Sequence, residues 1–237
     1  MLKRTDLEGV KGVARLLLMT KIHKTEFSPV VVQHPFTANG IVGISIDGKV
    51  RLLDITENED DLNIWRNYKL KCIDTAENAF GIYMMMNTAY ALTFLKYAKR
   101  YLSQKDFSSI LVLAWIKSES PNCDVNLKQS ELVGMFRQAD SQILMTQSER
   151  KRLKSLPETV TVYRGVTSYN AKNIRVLSWT LDKAKAEWFA HRYGEDGTVY
   201  EARIDKSRIV AYFAGRGESE VIIEPRHLKN ISVQKSE

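Results

Sequence analysis

Cysteine is nearly absent: 237 residues hold two, Cys72 and Cys123, and neither has a His or Cys at metal-ligand spacing. A disulfide framework and a Cys/His zinc site are therefore not expected, and a reducing compartment is. The four histidines, His23, His34, His191 and His227, fit no metal or triad spacing and read as surface or structural groups. There is no G-x-G-x-x-G and no P-loop, which argues against a Rossmann dehydrogenase and an NTPase. There is no run of about 20 apolar residues. The nearest, AFGIYMMMNTAYALTFL at 79–95, is interrupted by Asn87 and Thr88 and reads as a buried helix. The apolar run Leu16–Met19 is too short for a signal peptide. A cytoplasmic protein with no membrane partner is expected, the cytosol of a host cell included. Internal repeats and low-complexity tracts are also missing.

What is present is the balance of a globular protein, 44% hydrophobic and 27% charged residues. The length allows one large domain or a core with an N-terminal extension. The formal charge is +7, and it is unevenly spread. Residues 1–150 hold 19 Lys/Arg against 17 Asp/Glu, whereas residues 151–237 hold 16 against 11. An excess of +5 in the C-terminal third suits an anionic ligand, an acidic or nucleic-acid partner, or simply a basic surface.

Periodicity divides the chain. Residues 2–22 have the spacing of a short helix, with Val10, Val13, Leu17 and Leu18 on one face. PVVVQ and IVGISIDGKVRLLDI alternate as strands, the latter around a two-residue Asp47-Gly48 hairpin turn. ENEDD at 57–61 reads as an acidic surface loop. Residues 75–104 read as helical and mostly buried, followed by helices over 107–117, 128–139 and 142–154, with Pro157 ending the region. Strand signals then take over: TVTVYRGV, IRVLSWT, GTVYEARI, RIVAYFA, EVIIEP and LKNISV. One helix, DKAKAEWFAHRYG, interrupts them, with Asp182 as its N-cap and Gly194 as its terminator. The class is α+β, helices first and strands after. The expected division is an extension of unknown role over 1–75 and a domain over 76–237, with a helical lobe at about 76–156 and a β-rich part at about 157–237.

Three short pieces of the β-rich part carry chemistry. Arg164 sits inside an apolar alternating strand, where it needs an anion or a carboxylate partner. Its guanidinium is a fork for phosphate, and Gly165 beside it would allow a close approach to the backbone. Ser178 and Thr180 end a strand with their hydroxyls to one side and Trp179 to the other, unless Thr180 simply opens the next helical turn. Glu218 and Glu220, if extended, project to one side about 7 Å apart and repel unless something cationic lies between them.

The order Arg, then Ser-x-Thr, then Glu-x-Glu running into an apolar strand resembles the R-S-E class of mono-ADP-ribosyltransferases, of the arginine-specific bacterial and phage type. The resemblance covers roughly residues 157–233. VYRGV looks like the family's aromatic-Arg strand. VLSWTLDKAKAEWFA looks like its Ser-Thr-Ser strand and following helix, with Trp179 where Thr is usual and Thr180 where the second Ser is usual. ESEVII looks like its E-x-E motif. The resemblance implies a β core of two packed small sheets with an N-terminal helical lobe, and NAD as the cofactor consumed. It implies Glu220 as the catalytic carboxylate, Glu218 as the residue that orients or deprotonates the acceptor, and Arg164 on the NAD phosphates. The Gly165 backbone would meet the nicotinamide amide, Ser178 would brace Glu220, and Thr180 would support it. RIVAYFAGRG resembles the family's NAD- and target-facing loops, which makes Tyr212 and Phe213 candidates for stacking on nicotinamide and Arg216 for touching the target. One of Tyr212 and Phe213 is expected in the core, since strand neighbours face opposite ways. Trp188 and Phe189 read as core rather than cofactor contacts. No metal is implied.

E-x-E goes with arginine acceptors in that family, so a protein arginine is the default acceptor. A nucleic-acid acceptor, an NAD glycohydrolase using water, and a non-catalytic binding module keeping the fold are the other readings.

Overall fold

The structure, a computed structural model, describes residues 4–46, 48–118, 121–124, 126–168, 170, 174–194 and 196–234. The protein is α+β, every strand pairing among these residues is antiparallel, and the chain forms two compact units, Met1–Leu127 and Lys128–Glu237. The break falls later in the chain than the expected one at 75/76. The helices up to residue 117 belong to the first unit, and those from residue 129 belong with the strands that follow.

In the first unit, α1 (Leu7–Leu18) starts at Asp6, whose carboxylate accepts the Gly9 amide at 2.9 Å, and it buries Val10, Val13, Ala14 and Leu18. Strands β1 (His23–Lys24), β2 (Val31–His34) and β3 (Thr37–Asn39) make a three-stranded sheet. β4 (Ile41–Ile46) and β5 (Lys49–Asp54) form the expected hairpin, with Ile46 opposite Lys49 and Gly48 at φ +75°. Asp47 lies outside the described residues.

ENEDD is not a loop. Asn58 accepts the Asp61 amide at 3.1 Å, and Glu59, Asp60 and Asp61 form the first turn of α2 (Glu59–Thr75), where carboxylates favour the positive end of the helix dipole. The helical stretch expected over 75–104 consists of short pieces: α3 (Ala79–Tyr83), a 3-10 turn at Thr88–Tyr90, α4 (Ala91–Ala98) and a second 3-10 turn at Lys99–Tyr101, followed by α5 (Gln104–Lys117). Asn87 makes the first break. Its side chain accepts the Ala89 amide and donates to the carbonyls of His34 and Thr37, each at 3.2 Å. Phe80 and Met84 lie exposed at that break, while Ile82, Phe94 and Leu95 are fully buried.

His34 is a core histidine. Its Nδ1 accepts the Phe36 amide at 3.1 Å, its Nε2 stands 3.3 Å from the Leu18 carbonyl, and its ring meets Trp65 edge-on. Burial pushes its pKa down to about 4, so the folded protein holds it neutral. Between pH 6.5 and 4 the unfolded chain binds this proton and the folded chain does not, so stability falls as pH falls through that window. The loss is on the order of 3 kcal/mol. Urea denaturation at pH 7 and pH 4.5 should show it, and His34→Gln should flatten it. A pH dependence untouched by that substitution would contradict this assignment.

The second unit begins with α6 (Gln129–Gln138), α7 (Ser141–Leu144) and α8 (Gln147–Ser155). The helix expected over 142–154 is split, because Thr146 and Glu149 form a capping box that starts α8 afresh. The rest is β6 (Thr159–Val166), β7 (Ser178–Thr180), α9 (Lys183–His191), β8 (Thr198–Asp205), β9 (Ile209–Phe213), β10 (Glu220–Ile223) and β11 (Lys229–Val233). Asp182 caps α9, and Gly194 at φ +72° closes the 3-10 turn after it, as expected. The strands run in the order β11-β8-β6-β7-β10-β9. β6 pairs with β8 along its whole length but with β7 only at Tyr163 opposite Thr180. The six strands thus divide into two three-stranded halves with one pairing between them.

α9 lies against β6. Ala186 and Ala190 are fully buried there, packed with Val199 and Tyr163. A Cβ on Gly165 would fall 1.9 Å from the Ala186 carbonyl oxygen, so glycine is what lets the helix seat on the strand. Trp188, expected in the core, is 59% exposed on the other side of α9, its ring edge-on to Phe189 and beneath the Lys185 ammonium.

Candidate active site

Three of the predicted residues, separated by up to 56 positions in the chain, are brought onto adjacent strands. Arg164 lies on β6, Ser178 opens β7 and Glu220 opens β10. The Ser178 hydroxyl donates to Glu220 Oε1 at 2.5 Å, at the short end for a hydroxyl on a carboxylate. Arg164 Nη1 donates to the Ser178 carbonyl at 2.8 Å. Glu220 is 7% exposed, so its carboxylate is held out of bulk water with a fixed donor on it. Charge placed there acts through a low effective dielectric and changes little in orientation when a ligand arrives.

The strand register explains the geometry. Glu220 stands opposite Thr180 on one side and Phe213 on the other, so these three side chains share a face. Thr180 does more than open the helix. Its hydroxyl donates to the Glu218 carbonyl at 2.6 Å and accepts the Asp182 amide at 3.0 Å, joining the turn before β10 to the cap of α9. The Leu181 amide adds a bond to the Ser219 carbonyl at 3.0 Å.

Glu218 departs from the sequence reading. It is not extended and does not share a strand face with Glu220. Gly215–Gly217 makes a 3-10 turn after Ala214, Gly217 takes φ +63°, Glu218 is in the helical region at φ −94° and ψ −12°, and Ser219 takes φ +46°. A left-handed serine is uncommon and is held only by its surroundings, here the Thr180 and Leu181 bonds. It breaks the two-residue alternation, leaving Glu220 on a buried strand and Glu218 half-buried on the turn.

Tyr212 and Phe213 are 7% and 3% exposed, so both are in the core rather than one. β9 and β10 are covered on both faces, and Phe213 packs on Phe136 of α6 at 6.4 Å between ring centroids. Gly165 is likewise occupied: the close approach that glycine permits is made by α9. The Arg216 side chain lies outside what the structure describes.

Sequence reasoning missed Glu149. It is 9% exposed, its Oε2 accepts the Thr146 amide and hydroxyl at 2.8 Å each, and its Oε1 accepts the Ala214 amide at 2.8 Å. One carboxylate thereby caps α8 and pins the start of the Glu218 turn. The T-x-x-E spacing signals the cap but not the reach to Ala214. Glu224 was also missed; it is 1% exposed at the far end of β10, with Arg137 Nη2 on its Oε1.

No cluster of three or more His, Cys, Asp or Glu that could hold a metal occurs among the described residues, and no helix among them is long and apolar enough to cross a membrane. Compared with protein-family models, curated proteins and solved structures, the chain matches none.

Proposed function

We propose that the C-terminal unit is an ADP-ribosyltransferase-like catalytic unit that cleaves NAD and transfers ADP-ribose to a macromolecular acceptor, a protein arginine by preference. One observation carries the reading. Arg164, Ser178 and Glu220, picked from separate stretches of sequence, meet on neighbouring strands, with the serine hydroxyl on the glutamate. A binding module would not need a buried carboxylate aligned by a hydroxyl.

In this reading the bond between ribose C1′ and the nicotinamide nitrogen breaks, and its electron pair leaves with nicotinamide. Positive charge develops on the ribose. Glu220 accepts the 2′-hydroxyl and opposes that charge, as a carboxylate does in glycoside cleavage. Ser178 fixes the carboxylate, and Arg164 supplies a guanidinium for the phosphates. The acceptor nitrogen then bonds to C1′ and its proton passes to Glu218. NAD is the substrate consumed.

The test is incubation with NAD labelled in the adenylate, with and without cell lysate. Label on protein, removed by arginine-directed chemistry, supports the proposal. Label on nucleic acid points to that acceptor instead, and free ADP-ribose alone points to a glycohydrolase. No nicotinamide release in any arm rejects the enzymatic reading. Glu218→Gln is expected to lower transfer to arginine at least tenfold while changing hydrolysis by less than twofold, because it removes the proton acceptor and leaves Glu220 in place.

A further inference from the structure

We infer that the second unit carries a separate oxyanion site for a phosphate group, made by Arg137, Arg175, Arg226 and His227 around the buried Glu224. These side chains come from three places in the chain and converge on one short segment. Arg137 of α6 places Nη2 on Glu224 Oε1. Arg175, just before β7, donates from Nη1 to the Pro225 carbonyl at 3.1 Å. Arg226 Nη2 and His227 Nε2 stand 3.5 and 3.4 Å from Glu224 Oε2. Arg226 Nε donates to His227 Nε2 at 3.1 Å.

A structural ion pair needs one fork on one carboxylate. Here two guanidiniums, Arg137 and Arg226, stand on a single carboxylate and a third, Arg175, is tied to the carbonyl of the next residue, so three arginines gather on one carboxylate's segment for a local formal charge of +2 before His227 is counted. Glu224 is the buried member, its side chain 2% exposed, whereas the side chains of Arg137 and Arg226 are 48% and 74% exposed. The carboxylate therefore holds Arg137 by a hydrogen bond and Arg226 by charge from below, while the exposed parts of both side chains face solvent. Each guanidinium has five donors in a fixed plane, and among the described residues Arg137 and Arg175 each use one. Arginines already ordered by a buried anchor lose little freedom when an oxyanion arrives, which is what a phosphate site requires. The site is distinct from the candidate active site, because Glu224 lies four residues beyond Glu220, roughly 13 Å along an extended chain. It also accounts for part of the positive excess of the C-terminal third.

A terminal phosphate of a small nucleotide and a backbone phosphate of a nucleic acid present the same chemistry. Two probes separate them: inorganic pyrophosphate by calorimetry and a fluorescein-labelled twelve-residue oligothymidylate by anisotropy, both at low salt and without NAD. At least one should bind saturably. Arg226→Gln should weaken that binding about tenfold and, for the oligonucleotide, lower the slope of log affinity against log salt by about one. Arg137→Gln alone strands a buried carboxylate, so it is tested together with Glu224→Gln, which keeps the local formal charge unchanged while removing the Arg137 fork and should weaken binding similarly with an unchanged circular dichroism spectrum. Failure of both probes to bind the unmodified chain, or binding that both variants leave unchanged, overturns the inference. Nicotinamide release plays no part in the measurement, so the outcome is independent of the proposed NAD chemistry.

Discussion

Glu220→Gln is expected to lower nicotinamide release about a thousandfold while the protein stays folded. The substitution keeps shape and volume, and the amide oxygen still accepts the Ser178 hydroxyl that reaches Glu220 Oε1 in the structure. In the proposed reaction, what is lost is a full negative charge beside the ribose. Removing one preorganised electrostatic group from a buried site costs roughly 100- to 1000-fold in rate. The upper end applies here because Glu220 is 7% exposed and water screens it poorly. Stability should move by no more than about 1 kcal/mol, since a neutral side chain also avoids the desolvation of a carboxylate. Nicotinamide release and a urea curve, measured on the same preparation, decide the matter. Turnover near that of the unmodified chain would reject the mechanism. Loss of activity together with loss of fold would instead assign Glu220 a structural role.

Gly165→Ala should have the largest effect on stability. The added methyl would lie 1.9 Å from the Ala186 carbonyl oxygen and 2.6 Å from the Ala190 amide nitrogen. Both are backbone atoms of α9, so no rotamer change relieves the clash and the helix must lift from β6. Overpacking costs about 1–3 kcal/mol where side chains can yield, and more is expected against backbone: about 4 kcal/mol. Activity should fall with it, because α9 begins at the Thr180–Asp182 corner that also holds the Glu218 turn. Gly134→Ala in α6 is the control. Nothing lies within 4 Å of its Cβ position, and alanine there should stabilise by up to about 1 kcal/mol through helix propensity. Equal urea midpoints for the two variants would show that α9 does not sit on β6 as described.

What was legible in sequence follows from which physics acts locally. Most strands of the second unit are bounded by turn residues, and α9 carries its own cap at Asp182 and stop at Gly194, so these were read close to their true limits; IRVLSWT is the exception, a strand only at Ser178–Thr180. The broken helices were not, because Asn87 and Thr146 look like polar interruptions of apolar runs until their side chains are seen to cap the next turn. The Arg164–Ser178–Glu220 grouping was legible as an order of motifs. The different setting of Glu218 was not, since it depends on Ser219 adopting a left-handed backbone that tertiary bonds impose. The burial of both Tyr212 and Phe213 was hidden for another reason. Alternation says that two strand neighbours face opposite ways, and it says nothing about whether both ways are covered.

The single pairing between the two halves of the six-stranded sheet has a mechanical meaning. A strand pair normally shares its load over several rungs, whereas β6 and β7 share one, Tyr163 with Thr180, and the Arg164 bond to the Ser178 carbonyl serves as a second. That line is held by the fewest rungs of the six-stranded sheet among the described residues, which makes it the place where local opening is expected to cost least. Arg164 sits on one bank, and Ser178 and Glu220 on the other. If NAD is held by these groups as proposed, it would bridge the two halves of the sheet like a clasp across their one shared rung.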